Sequence, residues 1–233
     1  MPDGRRLIFT SQRAGIQNLF VQAADGTGAV ERFSESPDDE KATAVSPDGR
    51  RLIFTEVTPK TGEDVMQMEL DGTHRVTPLV QSPFTERNGV VSPDGRWLAY
   101  EANDTGRIEI SVRPYPDVNS GHWQVSTSGG AQPLWAPSGQ ELFYVSPTGA
   151  IMRVGVGRGA SWASTTPTLL VKEGYYAPAN GGYPGRHYDI SPDGQRFLII
   201  KYGERRATAT TAPASLIVVQ HWTEELKRLV PTK

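Results

Sequence analysis

Cysteine is absent from the 233 residues. That excludes disulfides, thiolate metal sites and a cysteine nucleophile, and it leaves the redox compartment open, because a disulfide-free chain folds in either environment. Long apolar runs are also missing. No stretch approaches the ~20 residues with which a helix spans a bilayer, and the start Met1-Pro-Asp-Gly-Arg-Arg lacks the apolar core of a signal peptide. Positive charge is not in excess: 24 Lys and Arg against 26 Asp and Glu give a net charge of −2. Nothing here builds a surface that neutralises phosphates, so neither nucleic acid nor membrane insertion of this chain is expected. The Gly-x-Ser-x-Gly elbow, the His-Glu-x-x-His helix and the Walker loop are absent as well, so the sequence carries no signature of the familiar hydrolase, metalloprotease or NTPase machinery.

What the chain does have is repetition. Met1-Pro-Asp-Gly, Ser46-Pro-Asp-Gly, Ser92-Pro-Asp-Gly, Ala136-Pro-Ser-Gly and Ser191-Pro-Asp-Gly each precede a β-prone, half-apolar run. The prolines are spaced by 45, 46, 44 and 55 residues, and a period of about 45 built from short strands is the signature of propeller blades. Each phrase reads as a tight turn: proline presets φ, aspartate accepts backbone N–H groups, and glycine supplies a conformation that other residues resist. The repeated aspartates Asp3, Asp48, Asp94 and Asp193 are therefore read as turn caps rather than calcium ligands.

The turn joins an innermost strand A (42–45, 89–91, 133–135, 188–190) to a strand B (51–55, 97–101, 141–145, 196–200). Strand C follows at 18–22, 65–70, 108–113, 151–156 and 215–220, and an outer strand D at 29–33, 74–80, 123–126 and 168–172. The expected fold is all-β, a propeller of about five four-stranded blades covering 1–36, 37–82, 83–127, 128–173 and 174–233 as one domain. The first blade lacks its strand A, and residues 223–230 fit a short amphipathic helix. Because Met1 stands inside a turn, the chain reads as part of a longer parent. An incomplete first blade leaves an open sheet edge, so self-association, most simply as a homodimer, is expected.

The phrase Ser46-Pro-Asp-Gly-Arg-Arg-Leu-Ile-Phe-Thr55 and the text Thr10-Ser-Gln-Arg-Ala-Gly-Ile-Gln-Asn-Leu-Phe-Val21 resemble the bacterial TolB-like, WD40-like (PD40) propellers. The ending, with Tyr188-Asp-Ile-Ser-Pro-Asp-Gly194 and Val218-Val-Gln-His-Trp222, is similar to propellers appended to bacterial serine/threonine kinases. The resemblance implies a propeller and supplies no catalytic residues.

Aligning the repeats on their prolines points to a site at the mouth of the central channel. Five residues before each proline stand Ala42, Asn88, Gln132 and His187, and two residues later Ala44, Val90, Leu134 and Asp189. Glu40, Lys41, Glu86, Arg87 and Arg186 lie beside them. The long interval is filled by residues 173–186, rich in glycine and aromatics, placed to overhang the mouth. The expected function is a sensor or scaffold module that binds a small molecule or peptide there, with Arg87, Arg186, Tyr175, Tyr176 and Tyr183 as ligand-binding residues. The alternative is a calcium-dependent propeller hydrolase acting on phosphotriesters, lactones or related esters. Asn88, Glu86, Gln132 and Asp189 would then hold Ca2+, and His187 would act as general base.

Overall fold

In the computed structural model the described residues are Met1, 3–172 and 185–200. Every element among them is a strand. The five turn glycines, Gly4, Gly49, Gly95, Gly139 and Gly194, all have φ between 67° and 72°, a region that glycine alone enters without steric cost. Each donates its N–H to the carbonyl three residues back, at 2.8–3.0 Å. Where the phrase begins with serine, a second layer of bonds forms. Ser46 and Ser92 donate their hydroxyls to Asp48 and Asp94 at 2.6 Å and accept the N–H of Arg51 and Trp97 at 2.9 and 3.0 Å. The turn is thus closed by side chains as well as by backbone, which is why it recurs as a unit.

The strands these turns join form separate antiparallel sheets. The first is β1 (Arg6–Ala14), β2 (Ile16–Ala23) and β3 (Glu31–Arg32), in that order. The second is β4 (Asp39–Val45), β5 (Arg51–Thr58), β6 (Gly62–Glu69) and β7 (Val76–Val80). The third is β8 (Glu86–Val91), β9 (Trp97–Ala102), β10 (Glu109–Pro114) and β11 (Trp123–Gln124). The fourth is β12 (Ala131–Trp135), β13 (Glu141–Val145), β14 (Ile151–Gly155) and β15 (Thr168–Val171). Two further strands, β16 (Tyr188–Ile190) and β17 (Phe197–Ile199), pair with each other. Sequence order equals spatial order within every sheet, as in propeller blades. The expected strand C at 215–220 and the C-terminal helix lie outside the described residues.

The core consists of seams between neighbouring sheets. Strand β9 is buried along its whole length, and its side chains alternate between two seams. Trp97 and Ala99 pack with Trp135, Leu142 and Tyr144 of the following sheet, whereas Leu98 and Tyr100 pack with Ile53 and Val65 of the preceding one. Strand β5 divides in the same way, Leu52 and Phe54 joining Leu19 and Met66, and Ile53 facing forward. On β13, Phe143 and Val145 reach Tyr188 and Phe197. Burial on both faces explains why the B strands read as near-continuous apolar runs. The sheets also approach closely near the inner strands. A Cβ on Gly89 would stand 2.6 Å from Val65 Cγ1 and 3.1 Å from Ile53 Cγ2, so a side chain there would push the second and third sheets apart.

Each of the inner strands β4, β8 and β12 carries a bulge at the same place in the repeat, at Ala42/Ala44, Arg87/Val90 and Ala131/Leu134. A bulge removes residues from the ladder and re-aims the side chains beyond it. It therefore resets the inward-outward alternation just where the candidate ring is expected.

The turn chemistry predicts a pH-dependent stability. The Ser46 hydroxyl, with help from the Arg50 N–H and nearby arginines, holds the Asp48 carboxyl below its ordinary value against a small opposing effect of burial. Its folded pKa is depressed, so its contribution is present above the unfolded value and is lost as pH falls through the folded one. Asp48→Ala is expected to lower stability by about 0.5–1 kcal/mol at neutral pH, the usual net worth of a hydrogen bond. In denaturant titrations the gap from wild type should close as pH drops below about 4. A gap that persists at pH 2 would place the effect in the backbone and not in the carboxylate.

Candidate functional site

The inner strands meet through a hydrogen bond that repeats with the sequence. The residue eight positions after each turn proline lies on strand B, and the residue five positions before the next proline lies at the bulge of the next strand A. Thr10 Oγ1 accepts the N–H of Ala42 at 2.9 Å, Thr55 Oγ1 that of Asn88 at 3.2 Å, and Glu101 Oε1 that of Gln132 at 2.7 Å. At the next junction the acceptor position is Val145, which has nothing to offer. The N–H of His187 goes to Gln132 Oε1 instead, at 3.0 Å.

Glu101 is the node of this wall and is 1 % exposed. Besides Gln132, it accepts Arg87 Nε at 2.7 Å and Asn88 Nδ2 at 2.6 Å. Arg87 also donates to Glu63 Oε2 at 2.9 Å, and Lys41 Nζ reaches Glu63 Oε1 at 3.2 Å. Burial pulls the Arg87 guanidinium down, but the Glu101 and Glu63 carboxylates outweigh it and hold its pKa above the ordinary value. Asn88 and Gln132 have φ of 54° and 58°, a left-handed conformation that is uncommon without glycine. Each is held there by bonds on both its backbone and its side chain. Asn88 Oδ1 accepts the N–H of Gly185 at 3.0 Å, and the carbonyl of Gln132 accepts the hydroxyl of Tyr188 at 2.8 Å.

The expected first ring is therefore present in part as a connected group. Ala42, Asn88 and Gln132 line one cavity of about 190 Å3 together with Val90, Gly185 and Arg186, and His187 is bonded to Gln132. The expected second ring is dispersed. Ala44 packs into the seam between the second and third sheets, Leu134 belongs to the seam toward β16, and Asp189 is exposed, paired weakly with Arg186 at 3.8 Å. The bulges on β4 and β12 account for Ala44 and Leu134, since they break the alternation of faces, whereas Val90 stays on the cavity with Asn88.

The other residues singled out by the sequence are scattered. Arg87 belongs to the ion-pair chain. Glu86, one residue away, faces elsewhere and accepts the Ser82 hydroxyl. Tyr175, Tyr176 and Tyr183 lie outside the described residues. Glu63 and Glu101 did not stand out in the sequence, although the eight-residue offset from the prolines marks Glu101 as the equivalent of Thr10 and Thr55.

These placements bear on the chemistry the site can do. The oxygens of Asn88 and Gln132 accept protein N–H groups, Glu86 and Asp189 point away from them, and no group of three or more His, Asp or Glu arranged for a metal occurs among the described residues. Among the described residues, the four expected ligands Asn88, Glu86, Gln132 and Asp189 are therefore not gathered around one point. Gln132 Oε1 accepts from the His187 backbone, so its Nε2, 3.1 Å from His187 Nδ1, is the donor of that pair. His187 Nδ1 then accepts from that amide.

Removing the node should be costly. Glu101→Ala strands a buried arginine and two amide donors, and breaking a buried pair from one side destabilises by about 3–5 kcal/mol. Lys41→Ala, at the partly exposed end of the chain of charges, should cost no more than about 1 kcal/mol. Urea unfolding of the two variants checks the order, and a loss below about 1 kcal/mol for Glu101→Ala would show that the wall stands without it.

No protein-family model matches the chain, and no curated protein matches it in sequence. Solved structures do. A protein assigned as TolB from Agrobacterium tumefaciens is 18 % identical, with a TM-score of 0.64 over 87 % of this chain and 72 % of its own. TolB from Acinetobacter baumannii has the same identity and TM-score over 86 % of this chain, which spans 48 % of that protein. A puromycin-hydrolyzing peptidase from Mycobacterium tuberculosis matches at 18 % identity and a TM-score of 0.58, over 84 % of this chain and 35 % of its own. At this identity the likeness is one of architecture, and the fold of this chain is that of the TolB-like β-propellers.

Proposed function

We propose that the chain is a binding module whose site is the channel cavity, taking a small polar molecule or a peptide end that carries a carboxylate. The observation behind this reading is the inventory of the cavity wall. The side chains of Asn88 and Gln132 are committed to holding the wall together, and among the described residues no carboxylate side chain lines the space. Among the described residues, Arg186 is the cation on the lining. Its Nε donates to the Tyr188 carbonyl at 3.2 Å, and its ion pair with exposed Asp189 is long at 3.8 Å. Such a partly exposed pair holds a guanidinium loosely, and a carboxylate can replace Asp189 with a bidentate contact.

The test uses lysine-free tripeptides with a free C-terminal carboxylate and the same peptides amidated, titrated calorimetrically into the full chain. Carboxylate peptides should give saturable binding that amidation removes, and Arg186→Ala should weaken it at least about tenfold, near 1.4 kcal/mol. Equal binding of amidated peptides, or turnover of lactone or phosphotriester substrates that depends on added calcium, would overturn the reading.

We also propose that two copies associate. Among the described residues, β1 pairs only with β2, which leaves its other edge for a further strand to join, and Leu7 on it is 55 % exposed. An open edge of this length is a template for another strand, and a second copy supplies one symmetrically. Light scattering should report about twice the 25.5 kDa of one chain, and Leu7→Lys should shift the population toward the single chain. A monodisperse species of one chain at micromolar concentration would rule the association out.

A further inference from the structure

A second cavity, of about 460 Å3, lies between β7 and the next sheet and shares no lining residue with the channel cavity. Its size is that of small-molecule sites. Glu86 lines it and is 4 % exposed, with one carboxylate oxygen taken by the Ser82 hydroxyl and Oε2 without any hydrogen-bond partner. Behind it stands Asp64, fully buried. Its Oδ2 accepts the Thr61 hydroxyl and, at 3.0 Å, Nε2 of Gln81, itself a lining residue, whereas Oδ1 is also unpartnered. Two buried carboxylates, each with one unsatisfied oxygen, carry a desolvation cost that no hydrogen bond at those oxygens offsets.

Arg113 lines the same cavity, but its Nε donates to the Tyr100 hydroxyl at 2.8 Å and one terminal nitrogen to the Val118 carbonyl at 3.0 Å. The wall is aromatic. His122 stacks on Tyr100 with ring centroids 6.4 Å apart, and Phe84 is 46 % exposed, with Asp104 also on the lining.

We propose that this cavity binds a primary alkylammonium group, with Glu86 as its anionic receptor and Tyr100, His122 and Phe84 as the apolar wall for its stem. An ammonium brings three donors, no acceptor and one positive charge, which is what an unpartnered carboxylate oxygen backed by a second carboxylate lacks. The face of an aromatic ring adds to the attraction for a cation. Burial raises the Glu86 carboxyl above its ordinary range and the Asp64 charge adds to this, against the Ser82 hydroxyl and Arg113. A bound cation would relieve the same strain.

Such a group reaches the site either as a free diamine or as a lysine side chain, and the experiment separates them. Cadaverine, Nα-acetyl-lysine N-methylamide and its Nε-acetylated form are titrated into the full chain, followed by NMR shifts and by calorimetry. Both ammonium probes should bind with a Kd on the order of millimolar, as expected for ligands with so few atoms, and the Nε-acetylated probe should be silent. Tighter binding of the lysine amide assigns the site to peptides, and tighter binding of cadaverine assigns it to diamines. Glu86→Gln, which keeps shape and removes charge, should weaken either at least about tenfold. Should that variant fail to fold, Phe84→Ala at the exposed rim gives the second reading, with an expected loss of about threefold. Binding of the acetylated probe equal to that of the amine, unchanged affinity in the variant that folds, or no saturation by either amine up to about 50 mM would overturn the proposal.

Discussion

The hydrogen bond from the bulged residue of one inner strand to a side-chain oxygen on the strand before it is the constraint on which the rest of the channel wall depends. The apolar seams supply most of the stabilisation, since burial of groups such as Leu98, Phe54 and Leu142 is favourable wherever they lie. A seam of aliphatic side chains does not by itself fix how far one sheet slides along the next. The bond from Thr10, Thr55 or Glu101 to the bulge does, because it joins one atom to one atom at each junction. It also gives the bulge its use: the N–H that leaves the sheet ladder is the one that crosses to the neighbour.

The threonine junctions and the glutamate junction differ in consequence. A hydroxyl takes one backbone N–H and stops there. The carboxylate of Glu101 has room for more donors and gathers Arg87, Asn88 and Gln132, so charge enters the wall at one place. A buried carboxylate is tolerable when its lone pairs are filled and its charge is matched, and Arg87 does both. Arg87 is in turn held by Glu63, whose second oxygen meets Lys41 nearer solvent. The chain of charges runs outward from the buried node, which keeps the uncompensated end where water screens it.

The fold was legible because its signals are local. Proline, aspartate and glycine in fixed order specify a turn, and a run such as Trp97-Leu-Ala-Tyr-Glu101 has no polar face to expose, so it must be buried on both sides. Strands 141–145 and 188–190 were placed to the residue. The site was only half legible. Counting back from the prolines finds Asn88, Gln132 and His187, since the repeat carries that register. It fails two residues later at Ala44 and Leu134, because the bulge that brings the first set inward breaks the alternation on which the count relies, and at Asp189, which is exposed on a strand without a bulge in its ladder. It also misses Glu63, and it groups Glu86 with Asn88 although the bulge that begins at Arg87 and the left-handed φ of Asn88 put the two on different faces.

The fourth junction shows how structural and candidate functional roles share the same side chains. With Val145 at the acceptor position, the strand that begins at Tyr188 has no oxygen to dock on, and Gln132 supplies one from its side chain while its own N–H stays on Glu101. Gln132 thus closes two junctions, one through its backbone and one through its amide, and its left-handed φ of 58° is what lets both face the channel. The same amide reaches the His187 ring, while Asn88 Oδ1 holds Gly185 beside the cavity. An acceptor at position 145 would free the Gln132 amide to face a ligand. With valine there the amide is part of the frame that closes the fourth junction.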